Sequence, residues 1–309
     1  DELRVTQDKD GKKVVHAFDY EQVFGPDSTQ DQVFDEVKDL IMSALDGFNV
    51  CIFAYGQTGS GKTYTMQGYG NQRGVNPRSL EMLFNHISST QDECDWSVQL
   101  TVVEIYNEKI QDLLRPVGSP EQALKIAQNK DGTNYIAGCN MVGVTSTEDV
   151  QAWLSKGEKN RHVSKTDMND QSSRSHLVLT LYTQCVNKLT KVKSSGRLNL
   201  IDLAGSERVS RSNVTGDGLK EAQAINSSLS NLGNVIAARA NKNAHVPYRN
   251  SQLTYLLQDS LDKNSKTLMI VQLSPSVESC GETLCSLRFA SRVKEVELGK
   301  ATAAKAATD

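Results

Sequence analysis

A glycine-rich segment, Gly56-Gln-Thr-Gly-Ser-Gly-Lys-Thr63, has the spacing Gly-x4-Gly-Lys-Ser/Thr of a phosphate-binding loop. Its glycines let backbone N–H groups turn toward phosphates, and a following helix directs its positive end at them. Lys62 can then reach the β and γ phosphates, and the Thr63 hydroxyl can ligate Mg²⁺. The segment lies between an apolar run at 49–54 and a predicted helix start at Lys62, which is the context that the motif requires. We therefore predict a nucleotide-binding site.

A second apolar run, 197–203, leads into Asp202-Leu-Ala-Gly205. A carboxylate at a strand end beside a phosphate-binding loop can hold Mg²⁺ through water, and Gly205 leaves a backbone N–H free to approach a γ-phosphate. Turns of this kind are common, so this segment indicates a Mg²⁺ and phosphate site only in combination with the glycine-rich loop.

Residues 169–176, Asn-Asp-Gln-Ser-Ser-Arg-Ser-His, form a polar cluster just before a predicted strand. One interpretation is a solvated, serine-rich loop. The other is a switch loop whose hydroxyls reach Mg²⁺ and an attacking water, with Arg174 pairing with Glu207 when nucleotide is bound. A phosphate-binding loop, a carboxylate and two polar switches favour phosphoryl transfer to water, and no His, Cys or Lys is placed as a covalent nucleophile.

The elements that must position these residues alternate between apolar strands and amphipathic helices. This alternation predicts an α/β fold with a mostly parallel core sheet. We expect one domain over 14–296, followed by an Ala-rich tail at 299–309 outside the core. The predicted strands are 14–18, 49–54, 97–106, 176–185, 197–203 and 267–273, and the predicted helices are 31–45, 77–88, 148–159, 219–240, 250–261 and 282–296.

Composition excludes several classes of protein. The 309 residues are 38% hydrophobic and 23% charged, which excludes collagen-like, disordered and coiled-coil chains. A net charge of −3 excludes a strongly basic nucleic-acid binder. Six cysteines without a Cys-x-x-Cys pair predict reduced thiols in a cytosolic protein and no zinc site. Because no apolar run approaches the ~20 residues that a bilayer requires, we expect a soluble protein without a membrane partner.

Taken together, these motifs resemble the kinesin motor domain. Four further strings carry the same resemblance: Phe53-Ala-Tyr-Gly-Gln57, Glu104-Ile-Tyr-Asn-Glu108, Arg161-His-Val163 and Val246-Pro-Tyr-Arg-Asn250. The resemblance identifies residues 1–298 as a motor-like domain from which the family's first strand, with its Arg-x-Arg-Pro motif beside the adenine, is missing. It implies a P-loop NTPase fold with a central mixed, mostly parallel sheet of eight strands and three helices on each face. The implied activity is microtubule-stimulated hydrolysis of ATP.

The resemblance also implies roles for individual residues. Thr63 and Ser173 would contact Mg²⁺, with Asp202 acting through water, and the Gly205 N–H would sense the γ-phosphate. The Arg174–Glu207 pair would close the site. Asn169, Ser172 and Glu207 would arrange the attacking water, and ATP or ADP would be bound by Gln57, Thr58, Gly59, Ser60, Gly61, Lys62, Thr63 and Tyr64, with Tyr64 stacking on adenine.

A microtubule-binding face is implied on the long helix after the second switch, the loop before it and the segment around Val-Pro-Tyr-Arg. Residues 207–266 carry eight basic and five acidic side chains in a protein of net charge −3. A locally basic surface suits acidic tubulin, although scattered solvated charge is the alternative. Gly218, Ser227 and Gln252 stand where the family commonly has basic residues, so we expect weakened or salt-sensitive binding. The candidate contacts are Arg208, Arg211, Lys220, Arg249 and Lys266.

Residues 49–61 and the ending 289–299 resemble the kinesin subfamily with a C-terminal motor, which predicts movement toward the minus end. The Ala-rich residues 300–309 are not expected to dock as an edge strand, unlike the linker of plus-end motors. We expect a dimer through a stalk outside this chain, located in the cytoplasm on microtubules, including those of the spindle. The alternatives are a plus-end or non-motile microtubule-binding ATPase and a regulatory GTPase, for which the string at 129–132 lacks the final Asp of Asn-Lys-x-Asp.

Overall fold

A computed structural model describes residues 1–116, 118–119, 122–129, 132–163, 171–208, 217–262, 264–296 and 300–307. These residues form fourteen strands and seven α-helices. The strands are β1 (Glu2–Lys9), β2 (Lys12–Asp19), β3 (Asn49–Tyr55), β4 (Gly68–Tyr69), β5 (Gln72–Arg73), β6 (Cys94–Tyr106), β7 (Lys109–Asp112), β8 (Lys125–Gln128), β9 (Asn134–Ala137), β10 (Val142–Gly143), β11 (His176–Asn187), β12 (Val192–Asp202), β13 (Ser265–Val271) and β14 (Ala304–Ala307). The helices are α1 (Gln30–Met42), α2 (Lys62–Met66), α3 (Val75–Ser89), α4 (Thr147–Val163), α5 (Asp217–Ala240), α6 (Gln252–Leu256) and α7 (Cys280–Lys294).

The central sheet has eight strands, as expected, in the order β10-β6-β11-β12-β3-β13, with β7 added to β6 and β14 added to β12. Among the described strands of this sheet only the β12–β3 and β3–β13 pairs are parallel, so the expectation of a mostly parallel sheet was wrong. The β11–β12 pair is antiparallel because a tight turn joins the two strands into a hairpin, and β6 pairs antiparallel with β7, β10 and β11. The Asn187 side-chain oxygen accepts hydrogen bonds from the N–H groups of Leu189 and Thr190 in this turn, at 3.0 and 2.8 Å.

Strand β3 is an apolar run because both of its faces are buried. Successive side chains point to opposite sides and enter two separate cores. Helices α1, α3 and α4 cover one face together with the five-residue α2, whose Met66 enters the same core, and α5, α6 and α7 cover the other. The expected three helices are thus present on each face, with α2 as a fourth, short helix on the first. The first core receives Val50, Ile52 and Ala54 from β3, and the second receives Cys51, Phe53 and Tyr55.

Most predicted helices are present with shifted ends. Helix α1 begins after Thr29, whose hydroxyl accepts the Gln32 N–H while the Gln32 side chain accepts the Thr29 N–H. The helix predicted at 250–261 is divided instead into a 3-10 turn at Tyr248–Asn250, the five-residue α6 and a second 3-10 turn at Gln258–Ser260. None of the described helices is long and apolar enough to cross a membrane.

The sequence pattern did not predict β1, which pairs antiparallel with β2 along eight residues. Asp10 and Gly11 both have positive φ in the turn, the conformation for which Asp-Gly is favoured in tight hairpins. The end of this hairpin rests on α7, because the Tyr20 hydroxyl donates to the Leu287 carbonyl at 2.7 Å.

The tail provides a second correction. Ala304–Ala307 forms β14, which pairs antiparallel with the first half of β12, and the Ala304 N–H donates to the Gly47 carbonyl at 2.8 Å. The expectation that this Ala-rich segment would not dock as an edge strand was wrong. Low strand propensity was outweighed by the backbone hydrogen bonds that β12 offers beyond the end of β3, where its edge is otherwise unpaired.

Candidate nucleotide site and switch loops

The pairing of β3 with β12 brings the two predicted phosphate motifs together. The strands are parallel, and Asp202 lies opposite Ala54, two residues before Gly56. Because the carboxyl ends of parallel neighbours meet at one edge of the sheet, the glycine-rich loop and the Asp202 turn share that edge. The structure therefore places the two motifs as the sequence predicted.

The glycine-rich loop is shaped by close backbone contacts. Gly56 has a φ of 154°, and a side chain there would collide with the Gln272 carbonyl. The buried Lys62 ammonium donates to the carbonyls of Gly56 and Gln57 at 2.9 and 3.0 Å. Burial lowers the pKa of Lys62, while nearby Asp202 raises it. Lys62 thus points into the curve of its own loop, where phosphate oxygens would replace the carbonyls.

An oxygen-only donor pair stands at the start of α2. The Thr63 hydroxyl donates to the Asp202 carboxylate at 2.7 Å. Hydroxyl and carboxylate oxygens are the hard ligands that Mg²⁺ prefers, so this donor set fits the ion. Ser173, the third predicted ligand, is tied to the same region because its carbonyl accepts the Gly205 N–H at 2.9 Å.

Glu207 contacts the phosphate-binding loop directly. Its carboxylate accepts the Thr58 N–H at 2.8 Å and the Thr58 hydroxyl at 2.6 Å. The Ser206 N–H donates to the Gly56 carbonyl at 3.1 Å, which fixes the same turn to the loop. The loop after β12 is therefore held against the phosphate-binding loop by three hydrogen bonds.

Arg174 has a partner that the sequence did not predict. Its guanidinium donates to Glu221 of α5 at 3.1 Å, whereas Glu207 is held by Thr58. The predicted Arg174–Glu207 pair is thus not formed in this arrangement. Ser172 lies in the 3-10 turn Gln171–Arg174, and Asn169 lies outside the described residues.

His176 was noted in the sequence only as the end of the polar cluster. Its buried Nδ1 accepts the Ala204 N–H at 3.0 Å, so the neutral ring carries its proton on Nε2 and donates it to the Ser228 hydroxyl at 2.9 Å. Burial lowers the pKa of His176 to about 3. This ring joins the switch strand, the Asp202 turn and α5. The apolar residues that follow it in β11 are the signal that could have indicated its burial.

Tyr64 and the other residues predicted to bind nucleotide lie in the glycine-rich loop and the first turn of α2. Tyr64 is exposed on α2, and its hydroxyl donates to the side chain of Gln72 in the β4–β5 hairpin. Gln57 donates to Ser279, just before α7, at 3.0 Å. Thr58, Gly59, Ser60 and Gly61 continue the loop, and the Gly61 φ of 102° precedes the first turn of α2.

The four predicted basic contacts that the structure describes do not form one cluster. Arg208 donates to the Cys285 sulfur of α7 at 3.0 Å. Lys266 donates to Ser43 at 2.8 Å, beside α1, so its side chain lies on the opposite face of the sheet from α5 and α6. Lys220 is exposed on α5, and the Arg249 guanidinium lies 5.3 Å from the centre of the Tyr255 ring. Arg211 lies outside the described residues.

The three positions at which the family commonly has basic residues have different surroundings. Gly218 lines a cavity of about 190 Å³ together with Arg174 and Glu207. Ser227 is exposed on α5, and Gln252 is half-buried at the start of α6. Gly218 thus faces the switch loops, whereas Ser227 faces solvent.

A phosphate-binding loop after a buried strand, with a carboxylate at the end of the adjoining parallel strand, defines a P-loop nucleoside triphosphatase. The profile of the kinesin motor domain matches residues 1–296. The chain therefore belongs to the kinesin motor domain family, whose members are ATP-driven, microtubule-stimulated motors.

Two of its relatives are KIN-14 kinesins. The chain is 49% identical over 305 residues to Kinesin-like protein KIN-14Q of Oryza sativa subsp. japonica, covering 97% of this chain and 32% of that protein. It is 50% identical over 298 residues to Kinesin-like protein KIN-14M of Arabidopsis thaliana, covering 93% of this chain and 40% of that protein. The chain thus spans less than half the length of these relatives.

Solved structures show the same fold. The C-terminal motor and motor homology domain of Kar3Vik1, fused to a synthetic heterodimeric coiled coil, gives a TM-score of 0.83 at 44% identity, covering 94% of this chain and 76% of that chain. A KIF14 dimer with AMP-PNP in complex with a microtubule gives a TM-score of 0.87 at 38% identity, covering 98% and 88%.

Proposed function

We propose that this chain hydrolyses ATP with Mg²⁺ and that microtubule binding accelerates the hydrolysis. The observation that carries the proposal is the hydrogen bond between Thr63 and Asp202, which joins the phosphate-binding loop to the turn after β12. Two oxygen ligands and a buried lysine at one sheet edge are the parts that phosphoryl transfer requires. Membership of the kinesin family and the AMP-PNP in the related KIF14 structure support ATP as the nucleotide.

Each residue has a separate task in this proposal. Lys62 exchanges its two carbonyl acceptors for phosphate oxygens. Thr63 and Ser173 would contact Mg²⁺ and Asp202 would act on the ion through water, and the bound ion would neutralise phosphate charge. The Gly205 N–H exchanges the Ser173 carbonyl for the γ-phosphate, and this exchange makes the loop after β12 sensitive to the nucleotide.

Asn169, Ser172 and Glu207 are assigned to the attacking water. For Glu207 the support is its position, because it already reaches Thr58 inside the phosphate-binding loop. Tyr64 is assigned to the adenine, where its exposed ring is available for stacking.

We further infer movement toward the minus end, a stalk-mediated dimer and a place on spindle microtubules. The support is the likeness to KIN-14 relatives and to a Kar3Vik1 motor domain fused to a coiled coil. The tail gives no support for this direction, because β14 docks on β12. Direction therefore rests on subfamily likeness, and a plus-end motor is the opposing outcome of the test below.

The test of catalysis is a phosphate-release assay with ATP or GTP, with and without microtubules, using Lys62→Ala as the negative control. We expect turnover with ATP, strong acceleration by microtubules and little activity with GTP. Equal or faster turnover of GTP would support the regulatory GTPase instead, and a rate indifferent to microtubules would contradict the coupling.

Direction is tested by gliding of polarity-marked microtubules over chains tethered through their N-terminal ends. A minus-end motor drives these microtubules with their plus ends leading. Minus ends leading would contradict the inferred direction, and binding without gliding would favour the non-motile alternative.

A further inference from the structure

The two residues of the expected switch pair each have another partner. Arg174 donates to Glu221 at 3.1 Å, and Glu207 accepts two hydrogen bonds from Thr58. Arg174 and Glu207 are thus each held by a different residue in this arrangement, and Glu221 and Glu207 are two carboxylates to which the one Arg174 guanidinium can donate.

The Glu221 contact is built from three elements of the fold. Arg174 belongs to the switch segment before β11, Glu221 to the second turn of α5, and Tyr106 ends β6. The Tyr106 hydroxyl donates to the same Glu221 carboxylate. Burial raises the pKa of Tyr106, and Glu221 raises it further, so the hydroxyl keeps the proton that it donates.

Because the Arg174–Glu221 contact is partly buried, we expect it to contribute more interaction free energy than an exposed ion pair does. The Arg174 and Glu221 side chains are 28% and 22% exposed. Charge-assisted hydrogen bonds are stronger than neutral ones, and screening by water decreases as exposure falls. Glu221 consequently receives two donors in a sheltered position.

A cavity lies beside Arg174, Glu207 and the first turns of α5. Arg174 and Glu207 line this cavity of about 190 Å³ together with the α5 residues Gly218, Ala222 and Ile225. Glu221 belongs to the same turns of α5. A shift of α5 therefore changes the distance from Glu221 to Arg174 and the size of this cavity together.

We propose that Glu221 is a positioning residue that holds Arg174 away from Glu207 and thereby restrains hydrolysis in the absence of microtubules. The inference rests on the proposed ATPase, in which the Arg174–Glu207 pair closes the site. Because α5 is the helix expected to face the track, microtubule binding that moves α5 would release Arg174. Glu221 then couples track binding to closure of the site.

The test is Glu221→Gln, which keeps an oxygen acceptor for Tyr106 but removes the charge that holds Arg174. We expect turnover without microtubules to rise about tenfold, which corresponds to ~1.4 kcal/mol. The KM for ATP and the microtubule-saturated kcat should stay within about twofold, because the track already releases Arg174. Glu158→Gln, the same chemical change at an exposed position on α4, should change neither rate.

A second variant separates release of Arg174 from a general loosening of α5. In the double variant Glu221→Gln/Arg174→Ala, turnover without microtubules should fall to that of Arg174→Ala alone, because no guanidinium remains to be released. Unchanged or lower turnover in Glu221→Gln, or a rise that persists without Arg174, would overturn the proposal. A wild-type chain that does not hydrolyse ATP at all would contradict the proposed function instead, so the two failures are distinguishable.

Discussion

Removing the carboxylate of Asp259 should destabilise the domain more than removing any exposed charge. Asp259 accepts the Arg197 guanidinium at 2.9 Å and the Asn134 N–H at 2.7 Å, and the Arg197 and Asp259 side chains are 16% and 10% exposed. Breaking a buried ion pair typically costs about 3–5 kcal/mol, because the remaining charge is left without its partner. Arg197 would keep acceptors on Asn49 and Asn134, both at 3.2 Å. We therefore expect the lower end, about 3 kcal/mol, for Asp259→Ala.

Thermal unfolding followed by circular dichroism, with a reductant to protect the six free thiols, measures this loss. For a domain of this size about 3 kcal/mol corresponds to a decrease in Tm of roughly 5 °C. The matched control is Asp35→Ala, which removes a 2.8 Å pair with Lys38 whose side chains are 64% and 46% exposed. That control should change the Tm by about 1.5 °C or less, because exposed pairs contribute at most ~1 kcal/mol.

A double-mutant cycle with Arg197→Met tests the assigned cause. If the cost of Asp259→Ala arises from a stranded guanidinium, the double variant should be more stable than the sum of the two single losses predicts, by more than about 1 kcal/mol. Additive losses, or an Asp259→Ala protein that melts within 1 °C of Asp35→Ala, would refute the reasoning. Nucleotide affinity should be unchanged, because neither residue belongs to the phosphate-binding loop.

Three further predictions concern the switches and the track. Arg174→Ala or Glu207→Ala should lower microtubule-stimulated kcat by ~100-fold or more with nucleotide affinity retained, and near-normal turnover would remove their pair from the mechanism. Ser227→Lys with Gln252→Lys should tighten microtubule binding by up to ~1 kcal/mol for each charge and steepen its salt dependence in cosedimentation, whereas a flat salt response would place both sites elsewhere. Because burial lowers the pKa of His176 from 6.5 to about 3, its contribution to stability is complete above pH 6.5 and is lost as the pH falls toward 3. Urea unfolding should show this loss at up to ~1.4 kcal/mol per pH unit, and His176→Asn should reduce the slope; equal slopes would contradict it.

The centre of the fold could be predicted because its signals are local. The apolar run at 49–54 predicted a strand buried on both faces, and the glycine-rich loop and helix start after it predicted a phosphate-binding site. The parallel register that places Asp202 opposite Ala54 then brings two distant motifs to one edge. No side-chain partner had to be guessed for this part of the site.

The prediction about the tail failed because propensity describes side chains and not vacant backbone groups. Ala304–Ala307 has little preference for a strand, yet β12 extends beyond β3 and offers unpaired donors and acceptors. The β1–β2 hairpin was overlooked for a different reason. Its Asp10-Gly11 turn is a strong local signal, but the polar composition of the segment concealed the alternating pattern.

Partner choice was the least predictable feature of the site. Sequence could indicate that Arg174 and Glu207 are charged and lie in switch loops, but not that Glu221 stands closer to Arg174. The same is true of Gly218. Its place in the family pattern predicted a contact with the microtubule, whereas in the structure it lines the cavity beside Arg174 and Glu207. Such choices depend on distances of a few ångströms between elements that are far apart in the chain.

Helix α5 connects these observations. It extends over 24 residues, about 36 Å at the rise of an α-helix, and Arg174 and His176 both contact its N-terminal half. Glu221 reaches Arg174 near one end, and Ser228 accepts His176 two turns later, while Ser227 beside it faces solvent. Helix α5 is exposed on one side and contacts Arg174 and His176 on the other. If α5 shifts as a rigid body, both contacts change. The coupling between track and nucleotide can therefore be tested at these two contacts, without any change to the residues that hold the phosphates.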